Sequence, residues 1–76
     1  MISVHTRIYL LEDLLGAPYI KGDMGTVVFA YPNGEAYEIE FFSVDGSTLG
    51  IETVPAKAVK STAGIKKVLH MDEQAA

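Results

Sequence analysis

The stretch KGDMGTVVFAYPNGEAYEIEFFSVDG, residues 21–46, decides the fold of this chain. Its two apolar runs, GTVVFAY (25–31) and YEIEFF (37–42), are rich in β-branched and aromatic residues, which favour strands. The Pro-Asn-Gly-Glu segment between the runs and the Asp-Gly pair after the second run are typical of tight turns. The stretch therefore predicts two antiparallel strands of a meander, which a third strand (48–54) extends.

The second run alternates strictly between apolar and acidic side chains. Tyr37, Ile39 and Phe41 fall on one face of an extended strand, while Glu38 and Glu40 fall on the other. An antiparallel strand of this pattern covers a core with one face and meets solvent with the other. We therefore expect the aromatic and aliphatic set to be buried.

The segments around this meander complete a small β domain. Residues 6–14 begin with β-branched and aromatic residues and predict a first strand that ends near Glu12. After Pro55 there is room for a single helical turn. Short strands joined by tight turns predict an all-β fold, a small five-stranded SH3-like barrel with a one-turn 3-10 helix. We assign residues 1–60 to this domain.

A barrel this small needs sharp bends, and turn residues stand where the predicted strands begin and end. Gly22 and Gly25 would let the chain turn tightly into the first long strand, and we expect a positive φ at Gly25. Gly50 would permit a kink or bulge in the third strand of the meander. The predicted turn positions are Gly22, Gly25, Asn33, Gly34, Asp45 and Gly46.

The composition indicates one small domain with more apolar surface than a single core can hide. Of the 76 residues, 49% are hydrophobic and none is cysteine. The lack of cysteine excludes disulfides and thiolate zinc sites and fits a reducing cytoplasm. No apolar run reaches the length of a membrane span, and the first residues lack the features of a signal peptide. We expect a cytoplasmic protein that associates with another copy or with another protein.

The last part of the chain differs in character from the rest. Ile65, Val68 and Leu69 are spaced i, i+3, i+4, which is one apolar helical stripe. We interpret residues 61–76 as a C-terminal tail that is partly helical or disordered. Its stripe would dock across one end of the barrel or across a neighbouring copy, and the second interpretation makes these three residues a candidate oligomer contact.

Five short motifs follow one another along residues 10–56. They read LLEDL (10–14), KGDMGTVV (21–28), YEIEF (37–41), Asp45 with Gly46, and TVPA (53–56). In order and spacing they resemble the DUF4926 family of small bacterial proteins. The resemblance implies an SH3-like barrel without catalytic residues. It also implies an antitoxin or immunity role, because members often stand beside genes of nuclease-like toxin proteins.

Charge is distributed unevenly along the chain. Residues 22–56 contain six acidic residues and no Lys or Arg, within a chain of net charge −4. Glu38 and Glu40 share a strand face, and Glu52 of an antiparallel neighbour would join them. Such a face would attract a basic partner, and a nuclease-like protein with a basic groove would suit it. The alternative is a solvated sheet face whose charges discourage edge-to-edge aggregation.

Two aromatic residues break the clean alternation of the strands. Tyr31 and Phe42 are therefore candidate exposed residues for contact with a partner. The alternative is that both belong to the core or to a contact between copies.

No group in the sequence predicts catalysis, a cofactor or a metal site. Glu38 and Glu40 lie about 7 Å apart along a convex, wet strand face, which is a poor place for a general acid and base. His5 and His70 lack the spacing of zinc ligands. Neither a nucleophile elbow nor a phosphate-binding loop is present.

The sequence thus predicts a non-enzymatic protein–protein interaction module, in its sharpest form an antitoxin-like or immunity-like partner of a basic nuclease-type protein. The alternative is an accessory protein associated with RNA or the ribosome, since the glycine-rich entry to a valine-rich strand is similar to KOW modules. The net acidity disfavours general nucleic-acid binding. A basic patch on one surface would favour the alternative, and its members would be Arg7, Lys57, Lys60, Lys66 and Lys67.

Overall fold

A computed structural model describes residues 1–62 of the chain. The elements are β1 (Arg7–Leu10), β2 (Met24–Ala30), β3 (Ala36–Phe42), β4 (Thr48–Pro55), a 3-10 helix (Ala56–Ala58) and β5 (Val59–Ser61). All strand pairs are antiparallel, and the five strands form one sheet in the order β4-β3-β2-β1-β5. The predicted all-β fold and the single helical turn after Pro55 are confirmed.

Two features of the predicted fold are not decided by this sheet. The SH3-like barrel stays a prediction, because the described strands establish the order of the sheet and its antiparallel pairing only. The tail stripe of Ile65, Val68 and Leu69, with the helix expected there, lies outside the described residues. Within residues 1–62, no helix has the length and apolar character needed to cross a bilayer.

The two hairpins of the meander close as the turn residues predict. Gly34 and Gly46 have φ values of 75° and 89°, a region that glycine enters without steric cost. The Asn33 side chain accepts a hydrogen bond from the backbone N–H of Glu35 at 2.9 Å. The Asp45 side chain does the same for the N–H of Ser47 at 2.9 Å. Both are local side-chain turns that fix the chain reversal.

The two glycines at the start of β2 serve different purposes. Gly22 has a φ of 94°, as a turn residue should. The positive φ predicted at Gly25 is wrong, because Gly25 is a buried strand residue paired with Ile8 and Phe41. A Cβ at this position would lie 2.5 Å from Cγ2 of Ile39. Gly25 is therefore needed because β3 packs closely against it.

Two bulges bend the sheet. The β2–β3 register shifts between Val27 and Phe29, so Val28 is the extra residue of β2. The β3–β4 register shifts opposite Leu49, next to Gly50, where the sequence predicts a bulge. A bulge increases the local twist, and its extra residue moves the side chains that follow to the opposite face of the sheet.

The core lies on one side of the sheet, which we call the inner face. The alternation of β3 is confirmed, since Tyr37, Ile39 and Phe41 are all buried. Tyr19, from the loop between β1 and β2, stacks on Phe41 with ring centroids 4.0 Å apart. The core residues are Ile8, Leu10, Tyr19, Val27, Tyr37, Ile39, Phe41, Val54, Ala58 and Val59.

Candidate protein-binding face

The side of the sheet opposite the core, which we call the outer face, carries the acidic residues of β3. Directly opposed residues of an antiparallel sheet project from the same face, so the register assigns side chains to faces. Glu38, for example, lies between Phe29 of β2 and Thr53 of β4. The outer face comprises Arg7, Tyr9, Met24, Thr26, Phe29, Tyr31, Glu38, Glu40, Phe42, Thr48, Ile51, Thr53 and Lys60.

Glu38 is held in place by two hydroxyl groups. Its Oε2 atom accepts hydrogen bonds from the Tyr31 hydroxyl at 2.5 Å and from Oγ1 of Thr53 at 2.6 Å. These two hydrogen bonds hold the pKa of Glu38 below its usual range, and the bond from Thr53 has the larger effect. Glu38 is therefore ionised at neutral pH, and its Oε1 atom accepts no hydrogen bond from residues 1–62.

Tyr31 orients this carboxylate from the end of β2. Its hydroxyl donates to Glu38, and this bond is the main reason that the pKa of Tyr31 is raised. The Tyr31 ring meets Phe29 edge to face, with centroids 5.0 Å apart. The sequence singled out Tyr31 as an exposed contact. The structure places it half-buried, with its polar end committed to Glu38.

Glu40 stands on the same face, one alternation further along β3. Its Oε2 atom accepts a hydrogen bond from Oγ1 of Thr48 at 3.1 Å. Ile51 lies directly opposite Glu40 and is 55% exposed, while Phe29, opposite Glu38, is 47% exposed. Each carboxylate thus has a large apolar side chain beside it, and within residues 1–62 neither forms an ion pair.

Phe42, the other aromatic residue singled out, is half-buried rather than freely exposed. The guanidinium carbon of Arg7 lies 5.3 Å from the centre of the Phe42 ring, within cation–π range. Arg7 projects from β1, two strands away from β3 in the sheet. The Arg7 guanidinium therefore reaches across the outer face from β1 to the last residue of β3.

Glu52 does not join the other two carboxylates, and its grouping with them is wrong. The register places Glu52 opposite Ile39, so it projects toward the inner side of the sheet. There it lines a concavity of about 320 Å³ together with Glu12, Asp13 and Lys57.

A larger pocket, of about 600 Å³, opens between the loop preceding β2 and the β3–β4 hairpin. Tyr19, Phe41 and Leu49 supply much of its apolar wall. Asp23 also lines it, and Oδ2 of Asp23 accepts the backbone N–H of Ile20 at 3.0 Å. Histidine is absent from the lining. No group of three or more potential metal ligands occurs among the described residues.

Sequence reasoning missed Phe29, Ile51 and Thr53 as members of the outer face. Phe29 reaches that face because the bulge at Val28 inserts one residue before it. A run such as GTVVFAY contains no signal for the bulge. Ile51 and Thr53 alternate with Glu52, but only the pairing register with β3 shows which set faces outward.

The comparisons with known proteins identify a family. A family model described as a domain of unknown function (DUF4926) matches residues 4–61. This range begins before β1 and ends with β5, so it covers the whole sheet. No curated protein and no solved structure matches the chain.

Proposed function

The chain belongs to the DUF4926 family, and we propose that it is a non-enzymatic protein-binding module that takes a basic partner on its outer face. The observation that carries this proposal is the arrangement around Glu38. An ionised carboxylate, fixed by Tyr31 and Thr53, presents one open oxygen beside an exposed aromatic ring.

This arrangement suits the side chains of Lys and Arg. Both bury an aliphatic stem along apolar surface while the charged end seeks a partner. Phe29 and Ile51 offer the apolar surface, and Glu38 and Glu40 offer the charge. Because Glu38 is already held by two hydrogen bonds, binding costs little side-chain ordering there.

The sharpest form of the proposal is an antitoxin-like or immunity-like protein whose partner is a basic nuclease-type protein. A basic substrate groove complements the carboxylates of the outer face, and complementary charge speeds association. The resemblance of the five motifs to a family found beside toxin genes supports this form. We place the protein in the cytoplasm, where such a partner would act.

Self-association is a further part of the proposal. The chain is 49% hydrophobic. Leu15 and Val44 are fully exposed loop residues, which adds apolar surface outside the core. Contacts between copies would cover such surface.

The arrangement of cations does not favour the RNA-associated alternative. Lys57 lines the concavity that also holds Glu12 and Glu52. Arg7 and Lys60, by contrast, belong to the outer face, where Arg7 lies over Phe42 and Lys60 is paired with Tyr9 of β1. The described cations are therefore divided between two sides of the sheet. Lys66 and Lys67 lie outside the described residues.

A pair of charge-matched double variants tests the proposal. Glu38→Gln with Glu40→Gln removes the charge of the outer face. Glu12→Gln with Glu52→Gln removes the same charge from the opposite side. Tagged wild-type and variant proteins would be used to capture partners from the native host, with nuclease treatment, and the captured protein would then be purified for titration.

We expect one basic protein to bind the wild type and the Glu12/Glu52 variant, and to bind the Glu38/Glu40 variant about tenfold more weakly. Equal affinity for both double variants would show that the outer face is not the binding surface. Capture that disappears on nuclease treatment would instead support the RNA-associated alternative.

A further inference from the structure

β4 is one of the two edge strands of the sheet, and within residues 1–62 no strand pairs with its outer side, which we call the open edge. The other edge, β5, spans only Val59–Ser61 and carries Lys60, and shortness and an exposed Lys are both features that protect an edge from pairing. β4 is eight residues long and contains no Lys or Arg. Among the described residues, its protection consists of Pro55 at its last position, the bulge at Leu49 and the inward-facing charge of Glu52.

The alternation of hydrogen-bonded and non-hydrogen-bonded pairs along the β3–β4 ladder shows which backbone groups of β4 face the open edge. Just beyond the ends of the two strands, the Ala56 N–H donates to the carbonyl oxygen of Glu35 at 2.9 Å. Glu35 and Ala56 are therefore a hydrogen-bonded pair that continues the β3–β4 ladder. Such pairs alternate along an antiparallel ladder. Counting back along the register, Ile51 and Thr53 form the pairs that are not hydrogen-bonded to β3. Their N–H and C=O groups therefore point away from the sheet.

The same two residues belong to the outer face. Ile51 lies opposite Glu40, and Thr53 lies opposite Glu38. The open backbone groups and the carboxylates therefore form one continuous surface. Leu49, at the bulge of β4, is 57% exposed but lines the pocket beside Tyr19 and Phe41, so it is not counted in this surface.

We propose that the basic partner contributes an extended segment that pairs with β4 as a sixth strand. This inference rests on the proposed function and names its binding mode. The segment alternates Lys or Arg with apolar residues. Its backbone bonds to Ile51 and Thr53. Its cations project from the outer face, where their aliphatic stems lie along Ile51 and their charges approach Glu38 and Glu40, and its apolar residues project from the opposite face.

Charge selects this occupant over a second copy of the chain. Residues 22–56 have no Lys or Arg, so β4 of a second copy would bring no cation to the carboxylates. It would also add the negative charge of its own Glu52. A foreign strand that carries cations compensates the outer face instead.

The test uses the wild-type chain labelled with nitrogen-15 and a synthetic peptide of about six residues that alternates Lys and Val, long enough to cover the open edge. Amide exchange is followed by NMR. We expect binding to slow exchange at Ile51 and Thr53 by about tenfold or more. The amides of Glu52 and Val54, which already donate to β3, serve as internal controls and change little.

Two further peptides separate backbone pairing from charge. A peptide N-methylated at the residues that face β4 cannot donate to it, and a peptide with Glu in place of Lys has the wrong charge. We expect both to lose the protection of Ile51 and Thr53. Protection by the Glu peptide, or no protection by any peptide, would overturn the proposal. Amides of Ile51 and Thr53 that are already protected in the free chain would also overturn it.

A variant of the chain connects this result with the natural partner. Ile51→Pro removes the outward N–H without removing a bond to β3, and Ile51→Val is its matched control. We expect Ile51→Pro to lose the captured partner while Ile51→Val retains it. If Ile51→Pro keeps the partner and the Glu38/Glu40 double variant loses it, the strand pairing is wrong while the proposed function stands.

Discussion

Thr53 and Glu38 form a hydrogen bond across the β3–β4 ladder, with Oγ1 of Thr53 donating to Oε2 of Glu38 at 2.6 Å. The two residues are a pair without backbone hydrogen bonds, and such pairs bring side chains closest together. The bond therefore follows from the register of the two strands. It is also the largest cause of the lowered pKa of Glu38.

We predict that Thr53→Val raises the pKa of Glu38 toward its usual range, because the variant keeps the shape of the side chain but loses the hydroxyl donor. In the wild type, the lowered pKa gives a stabilising contribution that is present above the pKa of the unfolded chain. This contribution is lost as pH falls through the lower pKa of the folded state. In Thr53→Val, ionised Glu38 contributes less to folding stability, because its folded pKa lies closer to the unfolded one. As pH falls, this smaller contribution is completely lost at a higher pH than in the wild type.

A titration of the Glu38 carboxyl carbon by NMR measures this change. Thr53→Ser is the control, since it keeps a hydroxyl and should leave the pKa low. An unchanged pKa of Glu38 in Thr53→Val would show that the hydrogen bond does not hold the carboxylate.

The order and type of the strands could be predicted because local patterns determine them. The alternation of Tyr37 and Ile39 with Glu38 predicts one buried face, and the positive φ of Gly46 follows from an Asp-Gly turn. The register could not be predicted, since it depends on how two distant segments meet. The sequence pattern therefore predicts the wrong face of the sheet for Glu52.

We predict that Gly25→Ala destabilises the domain by about 1–3 kcal/mol, the range for overpacking a core. The added Cβ would lie 2.5 Å from Cγ2 of Ile39 and 2.8 Å from the carbonyl oxygen of Glu40. Because Ile39 is fully buried and the second contact is backbone, neither neighbour can move aside cheaply. Urea denaturation of the wild type and the variant measures the cost.

Gly16→Ala is the comparison for Gly25→Ala. Gly16 has a φ of 78° and nothing within 4 Å of the new Cβ, so its cost comes from backbone strain alone, about 1 kcal/mol. If Gly25→Ala were no more destabilising than Gly16→Ala, the close packing of β2 on β3 would not explain Gly25.

We predict that Asp45, in the β3–β4 turn, titrates in the folded protein with a pKa of about 2. Oδ1 of Asp45 accepts hydrogen bonds from the Ser43 hydroxyl, the largest cause of the shift, and from the Ser47 N–H. The stabilising contribution is present above the unfolded pKa and disappears as pH falls toward 2. Ser43→Ala should raise the pKa of Asp45, and Ser43→Thr should not. A normal pKa for Asp45 in the wild type, measured by NMR, would contradict this account of the turn.

We predict that Gly50→Ala is destabilising on its own and that Tyr19→Phe rescues it. A Cβ on Gly50 would lie 2.8 Å from the hydroxyl oxygen of Tyr19. The Tyr19 ring cannot swing away easily because it is buried and stacked on Phe41 at an interplanar angle of 12°. We expect Gly50→Ala to cost about 1–3 kcal/mol. Tyr19→Phe alone should cost little, since this hydroxyl makes no hydrogen bond within the described residues.

A double-mutant cycle in urea tests this coupling, and the double variant should be more stable than the sum of the single effects by about 0.5–3 kcal/mol. Tyr37→Phe is the matched control, because it also removes a phenolic hydroxyl from the core but leaves the space around Gly50 unchanged. The Tyr37 hydroxyl accepts the backbone N–H of Ile2 at 2.9 Å, so its removal should be destabilising and should not rescue Gly50→Ala. Additive effects of Gly50→Ala and Tyr19→Phe would mean that Tyr19 does not limit the residue at position 50, and that the bulge beside it accounts for the glycine.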